Sequence, residues 1–330
     1  MKLVTYKSRD TEALGIFAGG EIYDLHTCDP ALPATMRDFL IGGEPMMQKA
    51  KSVENELLEG LGPAAVHAFT LLAPVPQPSS CRDGYAFRQH VESARRNRGA
   101  AMIPEFDQYP IFYFTNHNAI QGPGDIECMP DHFNKLDFEL EVAVVLNKKG
   151  RNIHAADADS YIAGFMIMND LSARTLQMEE MLLNLGPAKG KDFSTVIGPW
   201  LVTPDELEWY KVPAKPGHTG NNYNLEMSCK VNSIEVSRGS MADMDWTFAE
   251  LIERCSYGCD VLPGDVIGSG TVGTGCFLEL NGTGLRNNPN YKSQWLQAGD
   301  VVEMEVTGLG ILKNTIRAVN TDWSILKLKK

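Results

Sequence analysis

The amino-acid sequence predicts a β-rich α+β fold. Three observations lead there. Short apolar segments recur through most of the chain, separated by turns rich in Gly, Pro, Asn and Asp. Few segments carry helical spacing. The stretch Lys135–Leu146, KLDFELEVAVVL, alternates as a strand and then runs into continuous apolar residues, as a mostly buried strand does. A chain of 330 residues can hold one large domain or two modest ones. The expected division is a small N-terminal β-rich domain, residues 1–78, and a larger domain, residues 79–330.

Along the chain, Lys2–Tyr6 and Leu14–Phe17 read as strands, and Gly19-Gly20 is a hairpin turn into Ile22–Leu25. Helical patterns follow at Met36–Leu40 and Glu44–Leu61. The prolines of Ala73–Ser80, APVPQPSS, hold the chain extended and mark a linker. Asp83–Arg98 then has helical spacing, and its basic end, Arg95, Arg96 and Arg98, suits a helix C-terminus stopped by Gly99. Pro110–Phe114 is an aromatic strand and Tyr161–Met168 an apolar run ending at Asn169-Asp170. Ser172–Leu185 reads as a helix stopped by Gly186-Pro187. Tyr223–Val236 reads as a hairpin turning near Asn232-Ser233, and Thr247–Cys255 as a helix. Val261–Ile267, Phe277–Leu280 and Val301–Val306 read as strands between Pro-Gly-Asp and Ala-Gly-Asp turns.

Composition excludes some function classes. A net charge of −12 argues against nucleic-acid binding, which needs a basic footprint. It is compatible with a site for a divalent cation. Seven cysteines, an odd number scattered through a long chain, fit reduced thiols rather than a disulfide framework. Cys255 and Cys259 are four apart, but no second pair or nearby histidine completes a zinc site, so they read as buried thiols. The opening MKLVTYKSRD has no apolar signal core, and no run reaches the ~18 apolar residues that span a bilayer. The expected location is the cytoplasm, with no membrane partner.

The alternation in KLDFELEVA places Leu136, Phe138, Leu140 and Val142 on one face and Asp137, Glu139 and Glu141 on the other. Successive acids then stand roughly 7 Å apart. Three acids on one face repel unless they meet open water or share a cation. Asp83, Glu139, Glu141 and Asp170 come from three segments, each at a strand end or on a strand face. Hard cations take oxygen ligands, with carboxylates as the usual protein donors.

Six segments in order make the sequence resemble the fumarylacetoacetate hydrolase family. They are DGYAFRQH at Asp83–His90, ELE at Glu139–Glu141, NDLSARTLQ at Asn169–Gln177, LGPAKGKDFST at Leu185–Thr195, SGT at Ser269–Thr271 and LEL at Leu278–Leu280. The resemblance implies a large mixed β-sandwich roll of the fumarylacetoacetase C-terminal type for the catalytic domain, and a homodimer. It implies that Asp83, Glu139, Glu141 and Asp170 bind a divalent cation, Mg²⁺, Ca²⁺ or Mn²⁺. His90 matches the catalytic base and Glu279 its carboxylate partner. Arg174, Gln177 and Lys191 match residues that stabilise charge on the substrate. Tyr85, Tyr113 and Thr271 match substrate contacts. Lys191 and Thr195 resemble a pair near a second, structural cation. One of Arg95, Arg96 and Arg98, taken as Arg98, is expected to meet a substrate carboxylate.

These roles make chemical sense. An imidazole suits proton abstraction near neutrality, and a carboxylate on its other nitrogen fixes the tautomer. A divalent cation polarises a carbonyl, and Arg174 and Lys191 add fixed positive charge where negative charge develops. Arg174 and Gln177, three apart on a helix, reach the same pocket. Met181 stands where the fumarylacetoacetase branch has a tyrosine, and the segment from Thr271 to Glu279 is short. The expected activity is metal-dependent hydrolysis of a C–C bond in a β-diketo acid. Fumarylacetoacetate of tyrosine degradation leads, with acylpyruvates close behind. The alternative is a lyase or isomerase acting on 2-oxo acids.

Overall fold

A computed structural model describes residues 1–330. The first strands are β1 (Lys2–Ser8), β2 (Thr11–Ala18) and β3 (Glu21–Asp24), with β2 and β3 joined through Gly19-Gly20. Helix α1 (Met36–Leu58) joins the two expected helical segments across a kink at Gly43, whose φ is 59°. Then come β4 (Ser80–Gly84), α2 (Arg88–Asn97), β5 (Phe112–Thr115), β6 (Gly124–Cys128), β7 (Leu140–Leu146) and β8 (Ile162–Asp170). Next are α3 (Arg174–Met181), β9 (Thr195–Val202), β10 (Glu226–Val231), β11 (Ile234–Ser240) and α4 (Phe248–Ser256). The chain continues with β12 (Asp265–Gly268), α5 (Phe277–Asn287), β13 (Val301–Val306) and β14 (Gly310–Ala318). The architecture is α+β and β-rich, as the turn pattern predicts.

The large sheet runs β3-β2-β1-β9-β8-β7-β12-β4-β5. The second sheet runs β11-β10-β13-β14-β6. Val142, Val144, Phe165, Ile167 and Val196 point from the large sheet into the core shared with the second sheet. On the opposite face Ala143, Val145, Met166, Met168 and Ile197 pack with Phe39, Leu40 and Val53 of α1. The large sheet is therefore covered on both faces, which explains the continuous apolar run of β7.

Sheet and core both cross residue 78. β1 pairs with β9 through Lys2↔Val202 and Leu3↔Leu201. Ala73 and Val75, within the proline-rich segment read as a linker, are buried in the core that also holds Cys81 and Val266.

Four local readings are corrected. Phe277–Leu280 is the first turn of helix α5, not a strand. A four-residue apolar run fits either period, and the Asp137 carboxylate accepting from the Phe277 and Leu278 N–H groups decides for the helix. Helix α2 starts at Arg88, because Ser80–Gly84 is spent on β4. Helix α3 stops at Met181, four residues short of Leu185. Cys255 is buried but Cys259 is exposed, beyond the end of α4. All seven cysteines are free. No helix is long and apolar enough to cross a membrane.

Candidate active site

Three strands, β4, β7 and β8, and the break before β7 bring the acids to one end of the large sheet. β7 and β8 are antiparallel, so Glu141 at the start of β7 stands opposite Met168, near Asp170 at the end of β8. β12 runs antiparallel to β7, and β4 runs parallel to β12 with Asp83 beside Gly268. The result is a carboxylate oxygen from each of Asp83, Glu139, Glu141 and Asp170, all within 4.8 Å of one another. All four residues are buried. The solvated polar face that alternation alone allows is therefore not what forms.

Glycines make room for Asp83. A Cβ on Gly268 would lie 2.4 Å from Asp83 Oδ1. Gly270, at φ 79°, turns its N–H onto the same oxygen at 3.0 Å. Glu139 follows a break between the short strand Leu136–Asp137 and β7, where its N–H donates to Asn169 Oδ1 at 3.0 Å.

Two buried cations meet this cluster. Lys191 Nζ donates to Asp170 Oδ2 at 2.6 Å and also to Glu139. Arg174 donates to Asp137 Oδ2 at 2.8 Å, to Glu139 Oε1 at 2.7 Å and to Gln177 Oε1 at 3.0 Å. Burial pushes Glu139 up, but Lys191 and then Arg174 outweigh it and hold its carboxyl at about 2. Asp83 goes the other way: burial, then the charge of Asp170, push it up to about 7. Burial and Asp83 hold Glu141 well above the usual carboxylate range. Burial also raises Asp170, against the pull of Lys191.

Five buried carboxylates thus face two buried cations, counting Asp137. Glu141 Oε2 and Asp170 Oδ1 are buried without any hydrogen-bond partner. Orphaned oxygens in an all-oxygen donor set fit a hard divalent cation, which would be held by Asp83, Glu139, Glu141 and Asp170.

His90 and Glu279 come together from α2 and α5. His90 Nδ1 lies 2.7 Å from Glu279 Oε2, and both residues are buried. The same oxygen accepts the Thr274 N–H at 3.0 Å, from a turn whose threonine sits at φ 68°. Glu279 is therefore fixed from two sides in the first turn of a helix. It does not project from a strand.

A cavity of about 770 Å³ joins the dyad to the cluster. His90, Asp83, Glu139, Arg174 and Lys191 line its inner end. Tyr85 and Thr271 line it too; Tyr85 meets His90 edge-on, with ring centroids 5.9 Å apart. Thr271 Oγ1 donates to Glu141 Oε1 at 3.3 Å. Tyr113 and Gln177 also face the cavity, although the Tyr113 hydroxyl is engaged by Asp170. Arg98 lines it with its Nε donating to the Ala94 carbonyl at 3.1 Å, while Arg95 Nε is tied to the Ala101 carbonyl and Arg96 to Ser93 Oγ, and neither of those two lines the cavity. Met181, in the tyrosine's place, forms part of the wall. Thr195 lies outside the cavity, opposite Asp170 in the sheet, with its hydroxyl 3.4 Å from that of Thr115.

The sequence reading passed over two residues of this region. Asp137 anchors Arg174 and caps the helix that carries Glu279. Its signal was present, as the first acid of the alternating set. Cys276, the residue before α5, lies beside His90 and Glu139, and nothing local announced it.

Residues 80–317 match the description of the fumarylacetoacetate (FAA) hydrolase C-terminal family. The chain belongs to this family. Curated relatives include the mitochondrial oxaloacetate tautomerase Fahd2a of Rattus norvegicus, 32% identical over 96% of this chain and 91% of the relative. The human mitochondrial oxaloacetate tautomerase FAHD2A is 33% identical over 90% of this chain and 84% of the relative. Among solved structures, the fumarylacetoacetate hydrolase of Exiguobacterium antarcticum aligns with TM-score 0.72 at 23% identity, covering 97% of this chain and 100% of that one. A 5-carboxymethyl-2-hydroxymuconate delta-isomerase from Mycobacterium smegmatis aligns with TM-score 0.65 at 22% identity over the same shares. These structural likenesses bear on the family fold. Membership of this family makes the chain an enzyme without choosing its reaction.

Proposed function

We propose that the protein is a cation-assisted tautomerase that interconverts the keto and enol forms of oxaloacetate or a similar 2-oxo dicarboxylic acid. The observation that carries this reading is the His90–Glu279 pair, 2.7 Å apart, in one cavity with a four-carboxylate cluster. The names of the curated relatives, at 32% and 33% identity, support the choice of substrate.

Glu279 occupies His90 Nδ1 and leaves Nε2 as the working nitrogen. His90 takes a proton from the carbon next to the 2-oxo carbonyl, and Glu279 stabilises the imidazolium that results. The imidazolium then gives a proton to the enolate oxygen, so the net reaction consumes no water. Arg174 and Lys191 place fixed positive charge at the inner end, where enolate charge develops. Arg98 stands in the wall as a partner for the distal carboxylate. A divalent cation bound by Asp83, Glu139, Glu141 and Asp170 would supply Lewis-acid polarisation of the 2-oxo carbonyl.

With Mg²⁺, purified protein is expected to speed the decay of enol oxaloacetate, followed by its ultraviolet absorbance, and to lose the effect on chelation. No acceleration over buffer at any protein concentration would sink this reading.

The cavity favours a second reading. About 770 Å³ exceeds what a four-carbon diacid fills, and Ile111, Phe112, Met178, Leu278 and Leu285 add apolar wall. A larger β-diketo acid, fumarylacetoacetate or an acylpyruvate, would fit, with His90 deprotonating a water for C–C hydrolysis. Release of fumarate and acetoacetate tests it and would place the protein in tyrosine degradation. Homodimeric assembly and cytoplasmic residence complete the proposal; sedimentation and cell fractionation check them.

A further inference from the structure

His90, Glu139 and Cys276 each offer a donor atom, and the three atoms lie within 4.8 Å of one another. All three residues are buried. This set differs in kind from the acid cluster beside it. A thiolate, an imidazole and one carboxylate suit a borderline or soft cation, whereas four carboxylates suit a hard one. We propose that His90, Glu139 and Cys276 form a second metal site, selective for a thiophilic divalent cation such as Zn²⁺, whose occupancy switches the enzyme off.

The geometry supports the assignment at three points. Zinc sites with three protein ligands and one open position use bonds of about 2.0–2.3 Å. Donors already gathered within 4.8 Å reach such bonds once one Glu139 oxygen exchanges its hydrogen bond from Arg174 or Lys191 for the metal. The imidazole is also braced as metal-bound histidines are, with a carboxylate on its other nitrogen: Glu279 holds Nδ1 at 2.7 Å and leaves Nε2 for the metal. Cys276 is held in place at the head of α5, and its thiol has no task in the tautomerase or hydrolase chemistry. On binding, the metal–sulfur bond replaces the S–H bond and the proton leaves to solvent.

The consequence follows from shared ligands. Metal on His90 Nε2 removes the nitrogen that moves the proton. Metal on Glu139 also competes for a ligand of the hard-cation cluster. Thiophilic cations are therefore expected to inhibit in the presence of saturating Mg²⁺. This consequence rests on His90 being the base; the metal site itself does not.

The test uses the full chain with Mg²⁺ present throughout. Titrated Co²⁺ is expected to give a near-ultraviolet thiolate-to-cobalt band that saturates near one equivalent and is absent from Cys276→Ser. X-ray absorption of the Zn²⁺-loaded wild type, which needs no variant, is expected to show one sulfur at about 2.3 Å. Zn²⁺ is expected to inhibit the wild type at concentrations at least tenfold below those needed for Cys276→Ser. A first shell of only oxygen and nitrogen overturns the site, as does a cobalt band that persists in Cys276→Ser. Equal Zn²⁺ inhibition of both proteins overturns its regulatory role. If neither proposed substrate is turned over, the cobalt and absorption readouts still decide the site.

Discussion

Arg82 and Asp83 are neighbours on β4, yet they belong to buried charge clusters built on opposite rules. Arg82 Nη1 donates to Asp265 Oδ2 at 3.2 Å and to Ser80 Oγ at 2.7 Å. Asp265 also accepts from Ser80 Oγ at 2.7 Å and the Leu262 N–H at 3.0 Å. The Phe114 ring lies 4.8 Å from the guanidinium. One cation meets one anion, and each carboxylate oxygen of Asp265 is satisfied, with Arg82 Nε the one buried atom of the pair left without a partner. Around Asp83, by contrast, five carboxylates share Lys191 and Arg174, and Glu141 Oε2 and Asp170 Oδ1 find no partner. Both clusters bear the cost of desolvation. Only the second keeps negative charge in excess, which is what a cation-binding site needs and a structural ion pair does not.

Two substitutions break this comparison at its extremes. His90→Gln is expected to lower turnover by roughly 10²- to 10⁴-fold, while the thermal stabilisation given by Mg²⁺ persists. Asp265→Ala is expected to do the reverse. It strands Arg82 and costs about 3–5 kcal/mol of folding stability by denaturant titration, with the folded fraction retaining its rate per molecule within about twofold. A large stability loss in His90→Gln, or loss of rate without loss of stability in Asp265→Ala, would erase the division between the clusters.

Glu141→Gln sharpens the comparison on the surplus side. It removes a charge that burial and Asp83 already disfavour. In chelator the variant should be as stable as the wild type or more stable, unlike Asp265→Ala. Its affinity for Mg²⁺, read by calorimetry, should fall by at least roughly 10- to 100-fold, the loss typical of removing even an outer-shell partner of a metal ligand. A destabilised metal-free Glu141→Gln would mean that this carboxylate is matched after all.

The legible and illegible parts of the fold separate by range. Asn232 and Ser233 turn their hairpin at φ 52° and 68°, and Thr247 caps α4 with Glu250 in a reciprocal box, as local turn and cap chemistry dictates. Such features are written within a few residues. The pairing of Lys2 with Val202 is not, so the N-terminal strands read as a separate unit although they extend the main sheet. The acids of the site were named through motif resemblance, since spacing alone does not choose four carboxylates from forty-two acidic residues. Their burial and mismatch with Lys191 and Arg174 required the sheet register. Glu279 was named but set on a strand, because the helix there depends on Asp137, 140 residues earlier than Phe277.

His132 shows a third way to bury a titratable group, which is to keep it uncharged. Its ring lies 3.9 Å from that of Phe193, and Nδ1 accepts the Met129 N–H at 3.2 Å. Burial, then the charge of Lys189, outweigh Asp131 and Asp192 and hold it down at about 4. The sign follows directly. The unfolded histidine takes up its proton near pH 6.5, while the folded one stays neutral until about pH 4. The stability gained from keeping His132 neutral is therefore complete above pH 6.5 and is lost as pH falls from 6.5 towards 4, by up to about 3 kcal/mol. Carboxylates titrate in the same window, so the informative quantity is a difference. The stability gap between wild type and His132→Asn, measured by denaturant titration at several pH values, should be constant above pH 7 and shift in favour of the variant as pH falls. A gap that instead shifts in favour of the wild type as pH falls would mean that His132 is charged in the folded protein, paired with Asp131 or Asp192 as Arg82 is with Asp265, and a constant gap would mean that folding does not move its titration.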